Sequence, residues 1–318
     1  MPKIVVIGSL NMDVVALAPR IPVPGETISG NGYFTNPGGK GANQAFAAAR
    51  LGGEVAMLGC VGNDDFGRAM RQNLVSVGCC VKGIRTVDGP SGVAVIIVAA
   101  SGQNSIVVVP GANHRYLGDD VDGHMAEQET GGVALLQLEI PLASVLAAAR
   151  KARESKRLVI LDPAPAPASP LPAELFGLVD ILTPNETEAT TLAGLPPSAV
   201  TRVEAAALAR KLLAMGPKTV IMKLGEQGCL IAEQSGIKAI EAPRVQALDT
   251  TAAGDVFNAA LAVGLSNGMA LESACRFAVQ ASALSVTRLG AQPSAPSRSE
   301  VMQFAAGLGL PALPTTSP

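Results

Sequence analysis

The residues most able to do chemistry lie in one short stretch, Asp249-Thr250-Thr251-Ala252-Ala253-Gly254-Asp255, which runs directly into the apolar segment Val256-Phe257-Asn258-Ala259-Ala260-Leu261. Small residues let the backbone turn into a helix, and a carboxylate falls in the first turn of that helix. The unpaired N–H groups and the positive end of the helix dipole face whatever lies in front, which makes an anion site. An acid beside an anion site does little for a fold. It is well placed to accept a proton from a hydroxyl that attacks a phosphoryl group.

A second cluster, Pro37-Gly38-Gly39-Lys40-Gly41-Ala42-Asn43, combines glycines, which permit close backbone approach, with Lys40 and Asn43, whose donors suit hydroxyls or phosphate. A plain turn ahead of a helix explains the cluster equally well. It is not a Walker A loop, because Lys40 is followed by glycine and the upstream glycine is missing. Asn185-Glu186-Thr187-Glu188 has the spacing of a capping box, and Glu188 could also order a hydrated Mg²⁺ beside nucleotide phosphates. The two readings are compatible. Lys223-Leu224-Gly225-Glu226-Gln227-Gly228, taken alone, is an ordinary glycine turn between two strand patterns.

These residues must be positioned by regular elements. Short apolar runs at 3–8, 55–60, 133–138, 158–161, 180–182 and 219–224 read as strands. Amphipathic patterns at 41–51, 65–77, 143–155, 203–215, 254–265 and 271–286 read as helices. Continuous apolar strands alternating with helices imply an α/β fold: a doubly wound, mostly parallel sheet covered on both faces. Polar residues then fall at strand ends: Asn11 and Asp13, Glu139, Asp162, Asn185 and Glu188, and Gly225. Ligands of open α/β sheets bind at the carboxyl ends of the strands, so these placements point to one sheet edge. Residues 12–36 and 92–111 have no helix to pair with, and the second segment reads as a hairpin. Together they predict a small β-sheet that acts as a lid or a dimer contact. Residues 163–168 are too proline-dense for a helix and read as an extended loop. The expected domain spans 1–306, with a disordered tail over 307–318.

The chain of 318 residues is 48% hydrophobic with a formal net charge of −2. That composition fits a globular protein and argues against nucleic acid as the main partner. No apolar run reaches the ~20 residues of a membrane span, and Ile4-Val5-Val6-Ile7 is too short for a signal peptide core. The five cysteines lack metal spacing and read as reduced thiols of a cytoplasmic protein. His114 and His124 are expected at the surface or in loops.

Together these segments resemble the ribokinase-like, or phosphofructokinase B, family of carbohydrate kinases, from about Ile4 to Ser294. The paired motifs 38–43 and 249–255 carry the resemblance. So do Gly8-Ser9-Leu10-Asn11-Met12-Asp13, Gln137-Leu138-Glu139 and Thr183-Pro184-Asn185-Glu186-Thr187-Glu188, which are closest to the members that phosphorylate ribose. The resemblance implies ATP-dependent phosphorylation of a sugar, at the 5-hydroxyl if the sugar is ribose. It implies that Asn11, Asp13, Gly39, Lys40, Asn43 and Glu139 hold the sugar and that Asp255 is the base. Backbone amides of Ala252, Ala253 and Gly254 would receive the transferring phosphoryl group. Asn185, Glu188, Lys223, Leu224, Gly225, Glu226, Gln227, Gly228 and Val279 would serve ATP and its Mg²⁺. A K⁺ ion would be held by Asp249, Thr251, Ser285, Arg288, Gly290 and Ser294. Members often dimerise through a β-lid. The chain departs from the family pattern in Ala252 where glycine is common, in the charges of Lys223 and Glu226, and in Val279 where a polar residue is usual.

Phosphoryl transfer through a loose transition state depends on positioning and charge more than on proton removal. The helix dipole is expected to lower the Asp255 pKa, and a neighbouring triphosphate to raise it. Same-fold kinases for 2-deoxyribose, fructose or a nucleoside remain alternatives, as does a non-catalytic sugar-binding protein. A dinucleotide oxidoreductase would need Gly-x-Gly-x-x-Gly after the first strand, where this chain has Gly8-Ser9-Leu10-Asn11-Met12-Asp13.

Overall fold

A computed structural model of the chain describes residues 3–126, 130–167 and 169–310. In chain order the strands are β1 (Ile4–Ile7), β2 (Asn11–Ala18), β3 (Gly32–Gly38), β4 (Val55–Gly62), β5 (Ile84–Val87), β6 (Gly92–Ala99), β7 (Asn104–Val109), β8 (Val133–Leu136), β9 (Leu158–Leu161), β10 (Ile181–Leu182), β11 (Thr219–Lys223), β12 (Cys229–Glu233) and β13 (Gly236–Ile240). The helices are α1 (Lys40–Arg50), α2 (Asp65–Ser76), α3 (Gly118–Ala126), α4 (Leu142–Glu154), α5 (Ala173–Leu178), α6 (Glu186–Leu192), α7 (Arg202–Leu213), α8 (Ala253–Ser266), α9 (Leu271–Ser285) and α10 (Arg298–Gly307).

The large sheet has the order β13-β12-β11-β10-β9-β8-β1-β4-β5. Strands from β11 to β5 are parallel, and β12 and β13 add an antiparallel edge. Alternate side chains of each strand point to opposite faces. Ile4 and Val6 of β1 therefore join one core with α1, α2, α8, α9 and α10, while Val5 and Ile7 join the other with α3 to α7. Both faces are covered, which is why the strands read as unbroken apolar runs. From β1 the sheet grows one way through β4 and the other way through β8, so the direction of winding reverses between β1 and β8. Ligand sites of such sheets lie at that reversal, beyond the strand carboxyl ends.

The two helix-free segments form a separate four-stranded sheet, β3-β2-β6-β7. Its base row is Gly38, Asn11 and Gly92, with Asn11 in the middle paired to Gly38 on one side and Gly92 on the other. The β6–β7 pair is the expected hairpin. Of the residues expected in the tail, 307–310 are still tied to the fold: α10 runs to Gly307, and the Leu310 amide donates to the Ala305 carbonyl at 3.0 Å. Residues 311–318, and Ala168 of the proline-rich loop, lie outside the described residues. His114 is exposed as expected, but His124 is half-buried on α3 and stacks on the buried Tyr116 ring. All five cysteines are free. Among the described residues no helix is long and apolar enough to cross a membrane.

Candidate active site

The turn into α8 is built by Asp249. Its Oδ1 accepts the Thr251 amide and its Oδ2 the Gly290 amide, both at 2.8 Å. Partial burial works against this carboxylate, but the hydrogen bonds from Thr251 and Gly290 outweigh it and hold the pKa below the usual range. Ala252 then adopts a left-handed conformation, φ 59°, and α8 starts. The Ala253 amide donates to the Thr250 carbonyl at 3.2 Å. This narrows the expected set of anion donors, since that N–H already has an acceptor. The Gly254 and Asp255 amides come too early in the helix to reach a carbonyl one turn back, so with the Ala252 amide they are the donors this turn leaves open.

Residues 255–264 of α8 are buried on every side, because the helix lies between α1, α9 and the sheet. Asp255 enters this apolar setting at 5% exposure. Asn43 Nδ2 donates to its Oδ2 at 3.0 Å and Gln44 Nε2 to its Oδ1 at 3.1 Å. Burial pushes its pKa up to about 6 and the Asp162 carboxylate adds to this, against the pull of Lys40, Asn43 and Gln44. The expected lowering by the helix dipole is thus overturned: desolvation of the charged form is the larger effect. The carboxylate remains ionised at neutral pH, and it is a better base than a solvated aspartate.

The glycine cluster is more than a plain turn. It packs against the end of β1 so closely that side chains would not fit. A Cβ on Gly41 would come within 2.7 Å of the Gly8 carbonyl carbon, and one on Gly39 (φ +88°) within 2.6 Å of the Asn11 amide nitrogen. A Cβ on Gly38 would meet Asp13 Oδ2 at 2.4 Å. This contact brings Asn11, Asp13, Lys40 and Asn43 to one place. Glu139 joins them: its Oε2 accepts the Lys40 amide at 3.0 Å and the Ser9 hydroxyl. Burial, then the Glu139 and Asp255 carboxylates, raise the Asp13 pKa to about 6. Burial disfavours the Lys40 ammonium, yet Asp255, Asp162, Glu139 and Glu188 outweigh it and hold it firmly charged.

On the other side, α6 opens with the expected capping box. Glu188 Oε2 accepts the Asn185 amide and Asn185 Oδ1 the Glu188 amide, both at 2.8 Å. Burial raises the Glu188 pKa against the pull of Lys223. Asn185 pairs with Lys223 as an isolated bridge, which sets the 223–228 turn beside α6. Leu224 is buried, while Gly225, Glu226 and Gln227 form a short exposed turn closed by Gly228 (φ +85°). Val279 belongs to the apolar core at 4% exposure and offers almost no surface to a ligand.

Of the expected cation ligands, Asp249 and Gly290 are joined directly. Ser285 Oγ donates to the Ser282 carbonyl at 2.8 Å and Ser294 Oγ to the Ala291 carbonyl at 2.7 Å. Thr251 meets Asp249 through its amide, and the Arg288 guanidinium is directed to Glu300 at 2.7 Å. Among the described residues no group of three or more His, Cys, Asp or Glu side chains is arranged to hold a metal ion. The expected set supplies one carboxylate, Asp249, with hydroxyl and carbonyl oxygens otherwise, a donor chemistry that fits a hard cation of low charge.

Several residues of the site carried no assigned role in the sequence. Gln44 donates to Asp162 Oδ2 at 2.9 Å as well as to Asp255, and it accepts from Gln137 Nε2 at 2.7 Å. Gln292 Nε2 donates to Asn43 Oδ1 at 3.1 Å. Asn113 accepts the Leu10 amide at 2.9 Å and donates to Asn11 Oδ1 at 2.8 Å. Asp162 was visible as a polar residue after a strand, whereas Gln44 was not singled out by any pattern. Asn113 and Gln292 had no local signal.

The chain is similar to known proteins over nearly its whole length. The model of the pfkB family of carbohydrate kinases matches residues 1–298. A ribokinase of Haemophilus influenzae is 41% identical over 300 residues, covering 94% of this chain and 97% of the relative. A ribokinase structure from Thermotoga maritima aligns with a TM-score of 0.87 at 39% identity, covering 96% of this chain and 100% of that one. An Arabidopsis thaliana ribokinase, solved with ribose and ATP, aligns with a TM-score of 0.87 at 36% identity, covering 95% of this chain and 98% of that one.

Proposed function

The chain belongs to the pfkB family of carbohydrate kinases, and we infer that it transfers the terminal phosphoryl group of ATP to the 5-hydroxyl of D-ribose. The observation that carries this reading is Asp255: a buried carboxylate with a pKa of about 6, next to the Gly254 amide at the opening of α8. Its likeness to ribokinases over nearly the full chain supports the choice of sugar.

Asp255 orients the attacking hydroxyl and accepts its proton late, as a loose transition state requires. Asn43 and Gln44 fix the carboxylate, and Lys40 neutralises charge around it. Asn11, Asp13, Gly39, Lys40, Asn43 and Glu139 hold the sugar hydroxyls. The Gly254 amide, with those of Ala252 and Asp255, receives the phosphoryl oxygens, while the Ala253 amide is already paired with Thr250. Asn185, Glu188 and the 223–228 turn serve the nucleotide. Glu188 keeps acceptor capacity toward water beyond its capping bonds, which fits ordering a hydrated Mg²⁺ that offsets phosphate charge. Asp249, with the oxygens of Thr251, Ser285, Arg288, Gly290 and Ser294, would hold K⁺ behind the turn and stiffen the anion site.

The four-stranded sheet fits the part of a lid over the sugar, since β2 carries Asn11 and Asp13. It is also apolar where it meets water: Tyr33 is 79% exposed and Val107 61%, and every residue of β7 is exposed. An uncovered edge strand of this kind invites pairing, and a homodimer through this sheet would cover it. A cytoplasmic location fits the five free thiols.

The test is ATP consumption with ribose, 2-deoxyribose, fructose and adenosine in parallel, by the native chain and by Asp255→Asn. Ribose should give the highest kcat/KM, and the substitution should lower kcat by roughly 10²–10⁴ with little change in ribose affinity. Near-normal turnover by the variant would remove Asp255 from the mechanism. Preference for another substrate would reassign the sugar.

A further inference from the structure

Lys223 ends β11 in an unusual position. Its Nζ lies 2.8 Å from Asp162 Oδ1, with the two side chains only 12% and 2% exposed. The backbone beneath it is held in place: the Lys223 amide donates to the Pro184 carbonyl at 2.8 Å, and the residue pairs with Asn185. The ammonium reaches the opening of α8, because a Cβ on Gly254 would sit 3.4 Å from Lys223 Nζ. The cation therefore borders the amides that the kinase reading assigns to the phosphoryl group.

The surroundings argue against a merely structural pair. A buried ion pair is a weak source of stability, since desolvation consumes most of the attraction. Asp162 has a second tie, because its Oδ2 accepts from Gln44 Nε2, the same nitrogen that donates to Asp255. Asp162 is thus held in place without Lys223. Lys40 and Lys223 stand among Asp13, Glu139, Asp162, Glu188 and Asp255, carboxylates that a triphosphate must approach. The Lys40 amide is tied to Glu139 while its ammonium faces Asp255, Asp162, Glu139 and Glu188, so the two cations share the site, and Lys223 is the one paired with Asn185 on the nucleotide side.

We propose that Lys223 is a phosphoryl-binding residue, whose ammonium exchanges Asp162 for an oxygen of the terminal phosphoryl group when ATP arrives, and that Asp162 is the positioning residue that keeps it beside Gly254 until then. This rests on the kinase reading but not on the identity of the sugar. The side chain needs only a small swing, since its Nζ already touches the space in front of Gly254. Asp162 keeps its bond from Gln44 and does not follow. ADP lacks the group that Lys223 would grip, so the residue should separate the two nucleotides.

Equilibrium binding of MgATP and MgADP to the full chain, without sugar, tests this on Lys223→Met, Lys223→Arg and Asp162→Asn. Lys223→Met should weaken ATP by roughly 10- to 100-fold, the range of a hydrogen bond to a charged group, and leave ADP within about threefold. Its kcat should fall while KM for ribose stays unchanged. Lys223→Arg should recover part of the loss. Asp162→Asn should tighten ATP, because the ammonium no longer has to leave a carboxylate. If Lys223→Met leaves a buried charge that prevents folding, the double variant Asp162→Asn/Lys223→Met removes both charges and must show the same loss of ATP over ADP. Equal effects on both nucleotides, or a weakening of ATP by Asp162→Asn to match Lys223→Met, would overturn the proposal. Native protein that binds neither nucleotide would overturn the kinase reading with it, whereas native protein that prefers a different sugar leaves these binding ratios as the deciding evidence.

Discussion

The Asp255 carboxyl should set part of the pH dependence of stability, and Asp255→Asn isolates it. The group has an ordinary pKa of 3.8 and is pushed up to about 6 in the fold. An acid whose pKa rises on folding keeps its proton longer in the native state than in the unfolded chain. The native state then binds more protons between these values, so stability falls as pH rises through the window. The full loss is about 3 kcal/mol, at 1.36 kcal/mol for each pKa unit. About 2 kcal/mol of it falls between about pH 4.5 and about pH 8, where acid unfolding does not interfere. The asparagine side chain has no proton to lose, so the variant should gain on the native chain by that amount across the range. A separate, pH-independent cost applies at every pH. Asn43 and Gln44 both donate to Asp255, and an amide has one oxygen for the two of them, so one donor is left opposed at about 1–3 kcal/mol. The variant should therefore be less stable at low pH and catch up toward high pH. Urea unfolding of the ligand-free protein at a series of pH values measures the difference. Two curves that run parallel across the range would refute the claim that burial of Asp255 governs its ionisation.

Asp13→Ala should raise KM for ribose by roughly 10- to 100-fold and for 2-deoxyribose by less, since a site built to pair with a hydroxyl discriminates against its absence; steady-state kinetics on both sugars decides, and equal effects count against the assignment. Ala252→Gly should raise stability by up to about 1 kcal/mol, because left-handed backbone costs an L-residue about that much, and Ala252→Val should lower it; thermal unfolding reads both. Replacing K⁺ by a large inert cation at matched ionic strength should lower kcat, and unchanged activity would argue against a cation behind the Asp249 turn.

The reach of the sequence depended on whether a feature was local. The large sheet could be read because β1, β8 and β9 are covered on both faces and so are apolar at every position. The helix-free segments stood out by their contrast with that rhythm. Asp255 and the glycine clusters were legible because a helix opening and a close backbone approach impose residue types within a few positions. Gln44 was hidden, because its role depends on Asp162 and Asp255, 118 and 211 positions away. The pKa of Asp255 was misjudged for a related reason: the dipole belongs to its own helix, but burial is contributed by packing from α1, α9 and the sheet. The α10 helix carried a readable signal, Ser297 and Glu300 in a capping box, that its place beside a proline-rich tail obscured.

The base row of the small sheet has a mechanical consequence. Asn11, Gly38 and Gly92 lie side by side where the sheet leaves the main body. The chain rises about 3.3 Å per residue along a strand, so Asp13 stands only two positions from this row and Ala18 seven. A rocking of the sheet about this row would turn it as a door turns about its hinges. The proposed sugar contacts at Asn11 and Asp13 lie near this row and would barely shift, while the far edge at Leu17 and Asn104 would sweep widely. A lid of this build would separate affinity from access: tethering its outer edge should slow entry and exit while leaving the strength of the hold almost intact.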